Sequence, residues 1–260
     1  MNSEPELQRK PLKDEIFEIL HKLIIAGKYA PGEWLRKEEI ASQLGVSMTP
    51  VREALDLLVS AGLAEREPYR GVRVLQLSVE EIVEAYAMRL LLESTAARSA
   101  AGLITAEQVS ALRRLLEQME GMATLNEMHS LRLLNREFHL QVVNAAGNSL
   151  LSRMYGMVSN AFPDWMLYEA MFRYPELLES SLSAEYEEHR AILEALAAHD
   201  PDQAARQALL HILNLGQELH TFLGIPTQAL AEKEQACAAI AQIFPASLAL
   251  RSKAQQSTSS

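Results

Sequence analysis

Residues 34–74 read WLRKEEIASQLGVSMTPVREALDLLVSAGLAEREPYRGVRV, and this stretch decides the fold of the first part of the chain. Ile40, Ala41 and Leu44 have the spacing of one apolar helix face, so they predict a short helix. Gly45 follows as a turn residue that tolerates a left-handed backbone, and Val46 is expected to point inward. The pattern therefore predicts a short helix that ends in a tight turn.

A second helix is predicted to begin at Thr49 and Pro50, a hydroxyl N-cap followed by proline at the first helical position. We expect Gly62 to end it. Its buried face consists of apolar residues at helical spacing, namely Val51, Ala54, Leu55 and Leu58. Its outward face is mostly polar and consists of Ser47, Met48, Thr49, Arg52 and Asp56.

A two-stranded wing is predicted after this helix, with Arg70 and Gly71 at its tip. A polar helix face beside such a wing is typical of a recognition helix that enters the DNA major groove. The alternative is a small helical subdomain without a nucleic-acid role. That alternative does not explain why polar and apolar positions separate so cleanly beside an Arg-Gly tip.

Two segments, GVSMTPVREAL at 45–55 and GLAEREPYRGVRV at 62–74, resemble the GntR family of bacterial winged-helix transcription regulators. The resemblance implies a dimer that binds double-stranded DNA at a palindromic operator. Glu38 and Met48 stand where family members often have arginine, so the half-site sequence stays open. The residues expected to contact DNA are Arg36, Lys37, Ser47, Met48, Thr49, Arg52, Arg70 and Arg73.

The net charge of −10 is unusual for a DNA-binding protein, because phosphate contacts dominate nucleic-acid affinity. Residues 1–77 carry 11 Lys and Arg against 12 Asp and Glu, whereas residues 78–260 carry 13 against 22. Most of the acidity therefore lies in the second part of the chain, which need not touch DNA. A nearly neutral first part is compatible with DNA binding if its basic groups share one face.

The single cysteine, Cys237, excludes a disulfide framework and any site with several cysteine ligands. No signal peptide is recognisable at the N-terminus, and no apolar run is long enough to cross a bilayer. We therefore expect a soluble cytoplasmic protein that does not associate with membranes.

The pattern along the chain predicts a mostly α protein, with an N-terminal winged helix-turn-helix and a C-terminal, all-α antiparallel helical bundle. We expect a disordered tail at 1–10, the DNA-binding domain at 11–77, an effector, metal-binding and dimerisation domain at 78–225, and an extension at 226–260 with a disordered end. A first helix is expected at 13–26, closed by Gly27, and the last wing strand at 72–77. Further helices are expected at 79–101, 105–122, 125–146, 149–170, 176–199 and 201–223, with Pro163 breaking or kinking the fourth of these.

The second part of the chain resembles the FCD effector domain, the helical bundle that defines the largest GntR subfamily. The matching segments are EIVEAYAMRLLLESTAARSAA at 81–101, NREFHLQVVNAAGNSLL at 135–151, EEHRAILEALAAHDPDQA at 187–204 and ARQALLHILN at 205–214. Together with the first resemblance, these segments span roughly residues 11–223.

Three histidines and an asparagine form the candidate metal site. Asn135 and His139 share one helix face, and His189 and His211 lie on apolar faces of two later helices. A lone histidine on such a face is more often a core residue. The resemblance nevertheless implies that all four residues bind a divalent metal ion, zinc first, with nickel, iron or manganese as alternatives. Asn135 stands where aspartate is more common, so the ion keeps more positive charge and favours an anionic ligand.

Arg89 is the candidate effector-binding residue, because it lies among apolar neighbours where an unpaired guanidinium is costly. It has two interpretations. Arg89 can form an ion pair with Glu93, four residues later, or it can bind a ligand carboxylate, as the resemblance implies, with Glu93 orienting it.

These predictions favour a transcription regulator, most often a repressor in this family, that responds to a small organic acid. One alternative is a metal-dependent hydrolase, but neither an HExxH motif nor a nucleophile–base pair is evident. Another is a regulator with a purely structural metal and a long acyl-CoA effector. Family members of that kind lack the histidine set.

Overall fold

The structure, a computed structural model, describes residues 11–25, 28–124, 127–161 and 165–238. The chain divides into two compact units, which meet between Leu77 and Ser78. The predicted tail at 1–10, the helix end at Gly27, the break at Pro163 and the disordered end of the 226–260 extension lie outside the described residues.

The first unit is a helix-turn-helix with a two-stranded wing. Helix α1 packs on α3 through buried residues that include Ile16 and Leu20. Gly45 ends α2 in a left-handed conformation (φ 67°), and its N–H donates to the carbonyl of Ala41, which produces the predicted turn. The elements are α1 (Leu12–Ile25), α2 (Lys37–Leu44), α3 (Met48–Ser60), β1 (Ala64–Glu67) and β2 (Gly71–Val74).

Two local predictions for this unit are wrong. Helix α3 begins at Met48 with Ser47 as its N-cap residue, so Thr49 and Pro50 lie inside the first turn. Proline is tolerated there because first-turn N–H groups have no partner within the helix. The last strand spans Gly71–Val74 rather than 72–77. Its pairing with β1 ends at Val74 and Ala64, and Leu75 beyond it makes one further backbone hydrogen bond, to the carbonyl of Leu63.

The second unit is a helical bundle. Helix α4 is its central helix and packs against α6, α7, α9 and α10. The helices are α4 (Val79–Ala101), α5 (Ala106–Met119), α6 (Met128–Ala145), α7 (Ser149–Ala161), α8 (Trp165–Phe172), α9 (Pro175–Ala197) and α10 (Pro201–Leu223). The helix predicted at 149–170 is therefore two helices, α7 and α8.

Helix α4 begins where the sequence predicts. The Ser78 side chain accepts from the N–H of Glu81, and the Glu81 carboxylate accepts from the N–H of Ser78, so both partners of a capping box are present. This cap follows β2 by only a few residues. The wing and the central helix of the second unit are thus consecutive along the chain.

Residues 227–238 form a further helix after Gly224, which ends α10 in a left-handed conformation (φ 68°). The Tyr86 hydroxyl on α4 donates to Glu234 in this helix at 2.7 Å, and Leu230 is buried. The described part of the C-terminal extension therefore packs on the helical unit. Among the described residues, no helix is long and apolar enough to span a bilayer.

Candidate functional sites

A cleft of about 590 Å³ brings together four of the basic residues expected to contact DNA. It lies between the start of α2, helix α3 and the wing, and those residues are Arg36, Lys37, Arg52 and Arg70. Ser47, Met48 and Thr49 are exposed at the start of α3 but do not line this cleft. Four of the cations expected to contact DNA therefore share one surface, as DNA binding requires.

The ion pairs of this unit distinguish its cations. Arg36 and Lys37 form exposed pairs with neighbouring acids of α2, Glu39 and Glu38. Arg52 and Arg70 have no ion pair among the residues that the structure describes. Their guanidinium groups are consequently the most available for phosphates or base edges.

Arg73 has a different environment from the one expected of a DNA contact. Its guanidinium lies 2.9 Å from a carboxylate oxygen of both Glu65 and Glu67 on β1, and 6.0 Å from the centre of the Trp34 ring. These cross-strand contacts account for its charge within the wing. These contacts within the wing are thus sufficient to explain why an arginine stands at position 73, without a contact to DNA.

Sequence reasoning did not identify two further features of this surface. Arg66 of β1 pairs with Asp56 of the recognition helix, so the wing and α3 are joined by an ion pair. Tyr69 at the wing tip is fully exposed and has a left-handed backbone (φ 64°), which is uncommon for a bulky residue. The run Pro-Tyr-Arg-Gly indicated a turn but not this conformation.

In the helical unit, His139 on α6, His189 on α9 and His211 on α10 converge. One ligating nitrogen from each ring lies within 4.8 Å of the other two, and the Nε2 atoms of His139 and His189 are 3.1 Å apart. All three side chains are buried. Three imidazoles that share one buried point have the chemistry of a transition-metal site.

Two of these rings contact a carboxylate through their Nδ1 atoms. The Nδ1 atom of His139 lies 2.8 Å from Glu93, and that of His211 lies 2.8 Å from Glu188. Glu188 also accepts from the side-chain amide of Asn214 at 2.6 Å. Such partners fix which ring nitrogen faces a metal. Glu188 was missed because it lies 23 residues from His211, and nothing in the sequence joins the two.

The electrostatics favour neutral forms of His189 and His211 and an ionised Glu93. Burial, and then the neighbouring histidines, lower the pKa of His189, and burial is also the main cause that lowers the pKa of His211. Burial alone would raise the pKa of Glu93, but Arg89 and His139 outweigh it and hold that pKa well below its usual range. Metal binding requires neutral imidazole, so His189 and His211 are ready to bind without losing a proton.

The structure shows the first of the two interpretations of Arg89, the ion pair, and places the residue beside the candidate metal site. Its Nε donates to Glu93 at 2.6 Å, so the buried ion pair is formed. The same residue lines a small inner pocket of about 20 Å³ together with Asn135 and His211. Two buried polar atoms at this site, Asn135 Oδ1 and His189 Nδ1, have no hydrogen-bond partner among the described residues. An acceptor left unpaired in a core calls for a ligand.

These two units define a class of protein, a winged-helix DNA-binding regulator with a helical domain that contains a buried polar site. The family comparisons agree with this class. The model for bacterial regulatory proteins of the gntR family matches residues 12–74, and the model for the FCD domain matches residues 81–214. The chain therefore belongs to the GntR family and carries an FCD domain.

Relatives of this chain are named as transcription regulators. The chain is 33% identical over 205 residues to a probable D-xylose utilization operon transcriptional repressor of Paenarthrobacter nicotinovorans, covering 79% of this chain and 87% of that one. It is 27% identical over 235 residues to the repressor NanR of Escherichia coli, covering 83% and 87%. The protein is thus a DNA-binding transcription regulator and not an enzyme.

Solved structures support the fold. The E. coli protein McbR/YncC has a TM-score of 0.57 and 24% identity, covering 82% of this chain and all of that one. A GntR regulator from Rhodococcus has a TM-score of 0.54 and 22% identity, covering 80% and 97%. At these identities the likeness concerns the fold alone.

Proposed function

We propose that the protein is a dimeric repressor controlled by a small organic acid that binds beside a divalent metal ion in the helical unit. Residues 11–77 bind the palindromic operator, and residues 78–225 bind the metal and the acid and form the dimer. The observation that carries this proposal is the buried His139, His189 and His211 cluster, whose ring nitrogens face one point.

The residues present fit a metal ion. Three imidazoles and the amide oxygen of Asn135 suit zinc, and they are also acceptable to nickel, iron or manganese. The unpaired Asn135 Oδ1 has the acceptor chemistry that a cation requires. When bound, the ion would supply two positive charges that these four neutral ligands do not cancel, and so it would attract an anionic ligand.

Arg89 supplies the second positive group for that ligand. It is 5% exposed and lines the inner pocket, and Glu93 fixes its guanidinium from one side. A guanidinium held in this way can pair with a carboxylate through parallel hydrogen bonds. Glu93 contacts both Arg89 and His139, so it links the acid-binding and metal-binding groups directly.

Helix α4 connects this site to the DNA-binding unit along the chain. It carries Arg89 and Glu93, and it begins at Val79, a few residues after the wing strand ends at Val74. A ligand that binds one state of the dimer more tightly shifts operator affinity by the same differential free energy. A shift of α4 on binding of the acid would therefore reach the wing directly along the chain.

Metal analysis tests the proposal. Purified protein loaded with zinc and dialysed is expected to retain about one ion per chain, and His189→Ala to retain much less while far-UV circular dichroism stays helical. Loss of His199, whose Nδ1 contacts the backbone carbonyl of Ala101 outside the cluster, should leave the zinc content unchanged. Zinc retention equal to that of the parent in His189→Ala would contradict the assignment.

A further inference from the structure

Three glutamates line the inner pocket together with Arg89, and one of them has no structural role that explains it. Glu188 uses both oxygens, on His211 and Asn214. Glu185 accepts from the Tyr168 hydroxyl at 2.8 Å. Glu218 makes no hydrogen bond or ion pair with any residue in the described part of the chain.

The position of Glu218 places it at the candidate site. It follows His211 by seven residues on α10, which is two helical turns, so both side chains lie on the same helix face. It also lies beyond residue 214, where the match to the FCD domain ends. Glu218 is thus a feature of this chain that the domain match does not cover.

An unpaired carboxyl group here is costly for the folded protein. Burial, and then the nearby charges of Glu185 and Glu188, raise the pKa of Glu218 to about 9. Glu218 is partly buried, so its carboxyl group is incompletely hydrated and has no partner among the described residues to compensate. A positive group at this place would relieve both the desolvation and the repulsion.

A second observation in the same pocket also points to a ligand. Asn135 is 5% exposed, and its Oδ1 is an acceptor without a donor among the described residues. The proposed metal ion would satisfy Asn135 Oδ1. Glu218 is then an acceptor of this pocket that neither the metal nor a simple anion would pair with.

The charges around the pocket also favour a ligand that carries a positive group. Arg89 and a dipositive metal ion would carry three positive charges, and Glu93, Glu185 and Glu188 carry three negative charges when ionised, while the raised pKa of Glu218 keeps it mostly protonated near neutral pH until a positive group binds. A dicarboxylate would add two negative charges to this group, whereas a molecule with one carboxylate and one ammonium group would add none. Like charges in a poorly solvated site repel strongly, so the dicarboxylate is disfavoured.

The inner pocket of about 20 Å³ has room for little more than a water molecule, so an acid of several carbons would extend into the open cleft next to it, which is acidic as well. The cleft has a volume of about 550 Å³, and Glu185 lines both the cleft and the inner pocket. Glu120, Glu179 and Glu187 also line the cleft. A negative field of this kind concentrates ligands that carry a positive group.

We propose that the effector is a zwitterion, a small acid that also carries a protonated amine, and that Glu218 binds the amine while Arg89 and the metal bind the carboxylate. This inference rests on the proposed function, because it assigns the chemical class of the acid at that site. It makes Glu218 a specificity-determining residue of the pocket.

Matched straight-chain acids test the inference. The series consists of unbranched acids of three to five carbons that end in a methyl, hydroxyl, ammonium or carboxylate group. Their binding to the zinc-loaded, full-length protein is measured by isothermal titration calorimetry. At the best chain length, the ω-amino acid is expected to bind about tenfold or more tightly than the methyl-terminated acid. The dicarboxylate of that length is expected to bind most weakly.

The variant Glu218→Gln is expected to reduce the preference for ammonium over methyl to less than about threefold. The matched control Glu194→Gln removes an exposed carboxylate from α9 and should keep the full preference. Zinc content, measured in every variant, should not change. Unchanged selectivity in Glu218→Gln would overturn the role of Glu218.

The outcomes separate this inference from the proposed function. Binding of dicarboxylates or methyl-terminated acids at least as tightly as the ω-amino acids would overturn the zwitterion and leave the metal-dependent acid site standing. A zinc-loaded protein that binds no acid of the series would overturn both. The parent series alone decides between these results, so the inference stays falsifiable even if Glu218→Gln does not fold.

Discussion

Arg52 is the exposed guanidinium of the recognition helix, and it lacks an ion pair within the described residues. A bidentate contact to a base edge contributes about 1–3 kcal/mol, so Arg52→Ala is expected to weaken operator binding by roughly that amount. Fluorescence anisotropy with DNA from the protein's own promoter region, at fixed salt, measures it. Arg98→Ala, which removes an exposed arginine of the helical unit, should bind like the parent. Equal binding midpoints for Arg52→Ala and the parent would show that Arg52 does not contact the operator.

Glu188 orients His211 and does not itself belong to the three-histidine cluster. Removing a partner of this kind typically lowers metal affinity about 10–100-fold, so Glu188→Gln should bind zinc correspondingly more weakly. The neighbouring Glu187→Gln is the matched control, because Glu187 is exposed and pairs with Arg190. Competition with a zinc-binding dye measures both. The same affinity in the two variants would show that Glu188 does not support the site.

The polar residues of the site differ in how far the sequence could predict them. Asn135 and His139 share a face through helical periodicity, so their proximity follows from spacing alone. The meeting of His139 with His189 and His211 came from the family resemblance, because local patterns cannot fix how three helices pack. Glu188 and Glu218 were missed for the same reason, since surface and pocket glutamates look alike in a sequence.

Gly216 allows helices α4 and α10 to approach closely. A Cβ atom there would lie 2.6 Å from the hydroxyl oxygen of Tyr86, which is itself buried and bonded to Glu234. Overpacking of this kind costs about 1–3 kcal/mol, so Gly216→Ala should lower the melting temperature. Gly156 in α7 has open space around it, and Gly156→Ala should instead stabilise by about 0.5–1 kcal/mol. A stable Gly216→Ala protein would show that Tyr86 moves aside without cost.

The limits of individual elements were predictable where a local signal acts alone. Ser78 and Glu81 supply a complete capping box, and α4 spans Val79–Ala101 as predicted. The start of α3 was misplaced, because proline is acceptable anywhere in a first turn and Thr49 resembles an N-cap as much as Ser47 does. Pro163 predicts a break or kink in the helix expected at 149–170, and the described residues on either side of it form α7 and α8.

The whole molecule joins a DNA-binding unit and a helical unit along one continuous segment. Occupation of the buried site is expected to change the protein's affinity for its operator. The coupling free energy that links two such sites is typically about 1–3 kcal/mol, which corresponds to a change of about 5–150-fold. Arg89 lies outside the winged helix, so its loss should affect the response and not basal DNA binding.

The most direct test is the operator dissociation constant of the zinc-loaded protein, measured with and without a saturating concentration of the organic acid that most raises its melting temperature. For the parent, the acid is expected to change this constant about 5–150-fold. For Arg89→Ala, the constant without acid should match that of the parent and should not respond to the acid. A parent protein whose operator affinity is unmoved by the bound acid, or an Arg89→Ala protein that responds with the same midpoint, would contradict control of the operator by the buried site.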